Sequence, residues 1–129
     1  KISHIKKNLL SIIKRINQKS QKIYILGAST KGNTILQYLG LDSKAIPIAI
    51  ERNKSKVGAK TIGSGIKILD EKIIKKNPPN FMLVLPWHFR SEILKREINF
   101  INKGGSLIFP LPNVHIVNKK NIKLNTKKN

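Results

Sequence analysis

The fold class follows from one segment of the sequence, Lys22-Ile23-Tyr24-Ile25-Leu26-Gly27-Ala28-Ser29-Thr30-Lys31-Gly32-Asn33. Its nearly continuous apolar run ends at Gly27, which is typical of a strand buried on both faces of a parallel sheet. Apolar side chains then follow at helical spacing, and Gly40 ends that pattern. A strand, a glycine-containing turn and a helix make the first part of a βαβ unit.

The rest of the chain continues this alternation of strands and helices. Further strands are predicted at 45–50, 81–85 and 106–109, with a short extended piece at 66–68. Helices are predicted from Asp70, which can cap the first turn, to Asn77, and over 91–102 with Ile93, Leu94, Ile98 and Ile101 facing inward. Right-handed crossovers then give an α/β fold, a Rossmann-like parallel sheet of four to five strands with helices on both faces.

The two ends of the chain differ from this middle part. Residues 1–21 predict an amphipathic helix that packs on the domain, because apolar side chains recur there at alternating spacings of three and four. The Rossmann-like domain itself is expected to span 22–117. Residues 118–129 are rich in lysine and asparagine and poor in apolar side chains, so we expect a disordered basic tail.

Length and composition exclude several classes of protein. The chain has 129 residues, about one domain, and no apolar stretch near the roughly 20 residues that span a bilayer. The absence of cysteine excludes disulfides, thiolate metal sites and cysteine nucleophiles. No signal-peptide pattern precedes the first helix, so a cytoplasmic protein without a membrane partner is expected. Because the sequence begins at Lys1 rather than Met, it is expected to be a piece of a longer protein.

The net charge of +20 does not by itself predict a nucleic-acid partner. Twelve of the 26 basic residues lie in 1–22 and 118–129, outside the predicted sheet. Arginine, which reads bases and phosphates through two parallel hydrogen bonds, accounts for only four of the 26, and aromatic residues for 5% of the chain. We therefore expect sequence-independent attraction to polyanions at low salt and no specific nucleic-acid partner.

The candidate binding site lies where the predicted parallel strands end. In open α/β sheets ligands bind beyond the carboxyl ends of the strands, and four elements converge there: the turn 27–33, Glu51 with the loop after it, Trp87-His88 and the segment 110–113. The turn could hold an anion on the amide groups that open the next helix. However, Ser29 stands where a dinucleotide fingerprint has glycine, and Lys31 precedes Gly32 instead of following it as in a Walker A loop. The alternative is a purely structural turn.

The other candidate residues carry similar alternatives. Glu51 ends the second predicted strand, 24 residues after Gly27, near the position where a dinucleotide-binding acid would hold a ribose hydroxyl. The alternative is a solvated carboxylate at the end of a strand. His88 could be a base or a donor to a sugar or phosphate. His4 and His115 show no metal-ligand spacing, and no triad of catalytic residues can be assembled, so we predict no metal site and no catalytic residues in this chain.

Several of these motifs, in this order, resemble one family. They are Gly27-Ala28-Ser29-Thr30-Lys31-Gly32-Asn33 after a strand, Glu51-Arg52-Asn53 with Lys56 and Gly58, Pro79-Asn80-Phe81, Trp87 after a strand, and Gly104-Gly105 before Ile108-Phe109-Pro110-Leu111-Pro112. The resemblance is to the C-terminal domain of S-adenosylmethionine-dependent C-methyltransferases, best known for acting on nucleotide sugars. The sequence departs from that family where Glu51 and Asn80 replace aspartates.

The resemblance implies a division of labour between domains. The family's zinc module and methyltransferase domain, which hold S-adenosylmethionine and the catalytic residues, would lie upstream and are not matched by this chain. The present chain would bind the nucleotide-linked sugar and help to close the cleft, and would be inactive alone. The implied substrate-binding candidates are Gly27, Ala28, Ser29, Lys31, Gly32, Asn33, Glu51, Asn53, Lys56, Trp87 and His88. A stand-alone nucleotide- or dinucleotide-binding module remains the alternative.

Overall fold

The computed structural model describes residues 2–27, 46, 48–51, 66–111 and 113–122. The helices are α1 (Ile2–Gln18), α2 (Glu71–Lys76), α3 (Arg90–Arg96) and α4 (Ile98–Asn102), and a 3₁₀ helix covers Trp87–Phe89. The strands are β1 (Ile23–Leu26), β2 (Ile48–Glu51), β3 (Lys67–Asp70), β4 (Phe81–Val84), β5 (Ser106–Phe109) and β6 (His115–Val117). The predicted helix that ends before Gly40 lies outside the described residues.

The strands form a six-stranded sheet in the order β3-β2-β1-β4-β5-β6. The first five strands pair in parallel, which confirms the predicted Rossmann-like α/β fold. The prediction of four to five strands was one strand short, because β6 returns antiparallel to β5 after a short connection. Such a hairpin strand is not part of a βαβ unit, so the alternation of strands and helices does not indicate it.

Successive strand side chains alternate between two apolar clusters, one on each face of the sheet. Ile25, Leu83 and Ile108 belong to the cluster on the face that α1 covers. Leu26, Val84 and Phe109 belong to the cluster on the opposite face, with side chains from α2, α3 and α4. Burial on both faces explains why the strands read as continuous apolar runs instead of alternating with polar residues.

Helix α1 is amphipathic, as predicted. Leu9, Ile13 and Ile16 are buried against the sheet, and Lys14 and Arg15 are exposed. The side chains recur at spacings of three and four, so one stripe of the helix meets the sheet while lysines occupy the rest. No helix in the described part of the chain is long and apolar enough to cross a bilayer.

The helix predicted over 91–102 is two helices joined at Glu97. Glu97 departs from helical geometry, with φ of −98° and ψ of 17°, although its amide still donates to the carbonyl of Ile93. Ile93, Leu94 and Ile101 are buried as predicted, but Ile98 is 38% exposed. The expectation for Ile98 was wrong because the bend at Glu97 breaks the helical register. Ile98 therefore does not continue the buried stripe of Ile93 and Leu94, as it would in a straight helix.

The structure also describes the first five residues of the segment predicted as a disordered tail. They form a turn in which the side-chain amide of Asn121 donates to the carbonyl of Ile116 at 2.9 Å and the amide of Asn118 donates to Asn121 Oδ1. Ile122 packs against the apolar cluster on the α2–α4 face. Residues 123–129 lie outside the described part.

Asn80 joins the amino ends of the central strands. Its Oδ1 accepts from the backbone amide of Lys22 at 2.7 Å, just before β1. Its own amide donates to the carbonyl of Lys22, and its carbonyl accepts from the amide of Ser106 at the start of β5. One residue therefore connects the starts of three neighbouring strands, and its side chain supplies the acceptor that fixes Lys22.

Replacing Asn80 with alanine removes that acceptor and leaves the amide of Lys22 to water. We expect the free energy of unfolding to fall by about 1 kcal/mol and the melting temperature by about 4 °C. Asn80→Asp retains the oxygen and should remain close to the parent chain. Asn102→Ala, at the exposed end of α4, is the matched control. Equal melting temperatures for the Asn80→Ala and Asn102→Ala variants would contradict the assigned role.

Candidate functional site

The strand order places a switch point between β1 and β4. From β1 the chain proceeds outward to β2 and β3, and it then returns to β4 and continues outward in the other direction. Connections that leave neighbouring strands in opposite directions open a crevice beyond their carboxyl ends, where ligands bind in such sheets. We call the residues at this place, Gly27, Glu51, Trp87 and His88, the carboxyl-edge site.

Gly27 begins the turn after β1 and has a backbone that requires glycine. Its φ is +83°, and a Cβ built there would lie 2.8 Å from Cδ of Pro86. Its amide donates to the carbonyl of Ile50 at 3.0 Å, so the turn is joined to the end of β2. The absent side chain thus makes room for the segment after β4, which brings two of the predicted elements together.

Glu51 is the last residue of β2, and its register partner is Asp70 at the end of β3. Asp70 caps α2 as predicted, since its Oδ1 accepts from the amide of Lys72 at 2.9 Å. The structure therefore places Glu51 on the predicted edge, next to β1. The remaining candidates lie outside the described residues: Ala28, Ser29, Lys31, Gly32, Asn33, Asn53 and Lys56.

Trp87 and His88 follow β4 in the 3₁₀ helix and have different surroundings. Trp87 is half-buried and packs against the apolar cluster on the α2–α4 face. His88 is exposed, and the Trp87 ring meets it edge-on with centroids 5.6 Å apart. The ring centroids of Phe89 and His88 are 4.3 Å apart, and Phe89 is 50% exposed. Trp87 therefore anchors the segment, while His88 and Phe89 face solvent.

A second group of side chains near this edge was not found from the sequence. The Nε–H of Arg90 donates to Nε2 of His115 at 3.0 Å, and Nδ1 of His115 lies 2.7 Å from the carbonyl oxygen of Asn113. A guanidinium can only donate, so Nε2 accepts and the ring proton is on Nδ1, where it donates to Asn113. This arrangement fixes the tautomer of His115 and ties the start of α3 to β6.

The Arg90 guanidinium also lies over an aromatic ring. Its Cζ is 5.3 Å from the centroid of the Phe109 ring. The His115 ring stacks on the same phenyl ring, with 5.1 Å between the ring centroids and 11° between the ring planes. Burial lowers the pKa of Arg90 from its ordinary value, and the group is still a cation near neutrality. Sequence reasoning would have found this group only by predicting the β5–β6 hairpin, whose register pairs Phe109 with His115.

The described residues assemble polar groups and aromatic rings at this edge, without a metal-binding cluster. No three His, Asp or Glu side chains in the described ranges lie close enough together to hold a metal ion. The parallel sheet, the switch point and the turn at Gly27 define a Rossmann-like domain whose ligand edge is the carboxyl end of β1 and β4.

Comparison with known proteins identifies the family. The chain belongs to the family of C-methyltransferase C-terminal domains, whose model matches residues 1–112. It is similar to the C-methyltransferase NovU of Streptomyces niveus, with 31% identity over 91 residues. That match covers 70% of this chain and 22% of NovU, so the chain spans about a fifth of this curated relative.

One solved structure with a similar backbone is UDP-D-quinovosamine 4-dehydrogenase from Vibrio fischeri. The two chains are 18% identical, and the superposition has a TM-score of 0.48. It covers 83% of this chain and 85% of the other.

The contact between Gly27 and Pro86 can be tested with a pair of glycine variants. Gly27 and Gly104 both have positive φ, but a Cβ at Gly104 meets nothing within 4 Å. Gly104→Ala should lower the free energy of unfolding by about 1–2 kcal/mol through backbone strain alone. Gly27→Ala adds the overlap with Pro86, about 1–3 kcal/mol more. Urea denaturation measures both, and equal losses would show that the close approach to Pro86 is unimportant.

Proposed function

We propose that this chain is the substrate-side domain of an S-adenosylmethionine-dependent C-methyltransferase that acts on a nucleotide-linked sugar. In this proposal the domain binds the substrate and helps to close the cleft, and the methyl-transfer residues lie in another domain. The observation that carries the proposal is the family match over residues 1–112, which covers nearly all of the predicted domain. The small share of NovU that the chain spans is consistent with further domains.

The geometry of the carboxyl edge supports a binding role. Gly27 and Pro86 lie against each other across the switch point, so the residue that opens the turn after β1 lies beside the segment containing His88. Both open onto the crevice that parallel sheets of this order use for ligands. The exposed His88 can donate to or accept from a sugar hydroxyl or phosphate. Trp87, being half-buried, supports the segment from below.

Lys31 and Asn33 complete the proposed contacts on sequence grounds. They stand in the turn that resembles the family's hallmark, where an amine and an amide could meet a phosphate and a sugar hydroxyl. Arg90, at the start of α3, is a cation anchored by His115, and its charge favours an anionic substrate.

The cofactor is proposed to bind outside this chain. The resemblance assigns S-adenosylmethionine to an upstream domain, and Ser29, in place of the glycine of a dinucleotide fingerprint, argues against a dinucleotide at this turn. S-adenosylmethionine would supply the methyl group when it is bound by the upstream domain. We also propose a cytoplasmic location.

Substrate binding can be measured with UDP-glucose as the probe nucleotide sugar. The chain has one tryptophan, Trp87, and it lies at the proposed site. UDP-glucose should change its fluorescence and perturb the amide signals of 27–33 and 51–56 together. Lys31→Glu should abolish both effects without unfolding the chain, since it replaces the attractive charge by a repulsive one.

The matched controls for this titration are chosen from the opposite edge and the first helix. Lys67→Glu makes the same charge change at the start of β3, on the amino edge of the sheet, and should leave binding unchanged. His88→Ala should weaken UDP-glucose binding, because it removes the proposed donor or acceptor, and His4→Ala, on an exposed position of α1, is its control. Shifts confined to the lysine-rich ends, insensitive to Lys31→Glu and erased by moderate salt, would mean nonspecific anion binding and overturn the site.

The division between domains predicts that this chain alone does not bind the methyl donor. Calorimetric titration with S-adenosylmethionine should show no specific heat, and no methyl transfer should follow when UDP-glucose is added. UDP-glucose binding measured in the same preparation shows that the chain is competent. A micromolar dissociation constant for S-adenosylmethionine would contradict the proposal that another domain holds the cofactor.

A further inference from the structure

The Arg90 guanidinium lies at the carboxyl end of β5. Arg90 follows the 3₁₀ helix that comes after β4, and its Cζ is 5.3 Å from the ring centroid of Phe109, the last residue of β5. Because β4 and β5 pair in parallel, both strands end at the same edge of the sheet. The cation is therefore on the edge where ligands bind in open α/β sheets.

His115 holds this guanidinium and is itself held by two contacts. The Nε–H of Arg90 donates to Nε2 of His115 at 3.0 Å, and Nδ1 of His115 donates to the carbonyl of Asn113 at 2.7 Å. The imidazole also stacks on Phe109, with 11° between the ring planes. A long arginine side chain loses rotamer freedom when it binds a ligand, and here part of that freedom is lost beforehand. Arg90 is thus preorganised.

The two groups that fix Arg90 do not cancel its charge. Nε2 of His115 accepts a hydrogen bond, so the imidazole is neutral, and the Phe109 ring is also uncharged. Burial lowers the pKa of Arg90, because desolvation disfavours the charged form. An anion at the guanidinium would offset this desolvation. The bond to His115 uses one of the five N–H donors of arginine, whose planar arrangement matches the oxygens of a phosphate group.

We propose that Arg90 binds the diphosphate group of the nucleotide-linked substrate and that His115 is the residue that positions it. The terminal N–H groups of Arg90 donate to the phosphate oxygens, while Phe109 supports the guanidinium. His115 acts through Arg90 and does not touch the substrate. This inference rests on the proposed function, and it assigns the anionic part of the substrate to one side chain.

The Arg90 side chain can be followed directly by nuclear magnetic resonance. The full 129-residue chain contains four arginines, so few Nε–H signals need to be assigned. The probes are UDP-glucose, inorganic pyrophosphate as the anion alone, and glucose as the sugar alone. UDP-glucose and pyrophosphate should both shift the Arg90 Nε–H signal, and glucose should leave it unchanged.

Arg90→Lys keeps the positive charge but removes the planar group and the Nε–H. It should weaken the binding of pyrophosphate and UDP-glucose roughly tenfold, which corresponds to the loss of one charged hydrogen bond. Arg96→Lys is the matched control, since Arg96 is exposed at the other end of α3 and pairs with Glu97.

Two variants of His115 separate positioning from packing. His115→Phe keeps a flat ring that can stack on Phe109 but removes the acceptor for Arg90, so it should weaken pyrophosphate binding. His115→Gln loses the ring but supplies an oxygen acceptor, so it should restore part of the affinity. A purely structural role predicts the opposite order, because the phenyl ring preserves the packing. Melting temperatures show which variants fold, and Arg90→Lys keeps the test decisive if neither His115 variant does.

The outcomes distinguish this inference from the proposed function. Equal pyrophosphate affinity in the parent, Arg90→Lys and Arg96→Lys chains would overturn the inference and indicate general attraction of anions to the lysine-rich surface. UDP-glucose shifts at 27–33 and 51–56 without a shift at Arg90 would support the proposed function and reject the role of Arg90. A pyrophosphate shift at Arg90 that Arg90→Lys weakens, with no binding of UDP-glucose, would support the anion site and reject the nucleotide-linked substrate.

Discussion

Strand β1, at the centre of the sheet, determines where its neighbouring strands lie. It pairs in parallel with β2 on one side and β4 on the other, and all four of its side chains are buried. Hydrogen bonds continue beyond both of its ends, from the amide of Gly27 to Ile50 and from the amides of Asn80 and Phe81 to Lys22. Because both ends are fixed, the carboxyl ends of β2, β1 and β4 have defined relative positions. The candidate site is a consequence of that alignment.

The parts predicted best from the sequence are those in which burial leaves no choice. The apolar runs predict β1 and β5 to the residue and β4 within one residue, because strands covered on both faces consist mainly of apolar side chains. The errors arose where no local sequence pattern indicates the geometry. Strand β6 has only three residues and is held by its pairing with β5, and Ile98 is exposed because of the bend at Glu97. Neither feature is indicated by a periodic pattern of apolar residues in the local sequence.

For the site, the sequence predicted the edge better than the roles of its residues. Gly27, Glu51, Trp87 and His88 all lie at the carboxyl ends of neighbouring strands, as the topology requires. Gly27 also accommodates Pro86, and Trp87 also packs on the apolar cluster of the α2–α4 face, so both residues have a packing role that residue type alone does not indicate. The Arg90–His115 pair was missed because its members are 25 residues apart and meet only through the unpredicted β6.

The same strand order creates the carboxyl edge and a cavity on the face of the sheet that α2, α3 and α4 cover. The connection from β3 through α2 must cross over β2 and β1 to reach β4, and a right-handed crossover places α2 on the face that α3 and α4 also cover. The helices on this face are short. Between α2 and α4 the side chains of Leu26, Ile50 and Met82 line the cavity from the side of the sheet. Glu71 begins α2 and Glu97 joins α3 to α4, so each carboxylate stands where a helix starts or bends. Glu71, at the start of α2, gains from the amide groups of its first turn, which favour negative charge. This explains how scarce acids can remain inside a strongly basic domain.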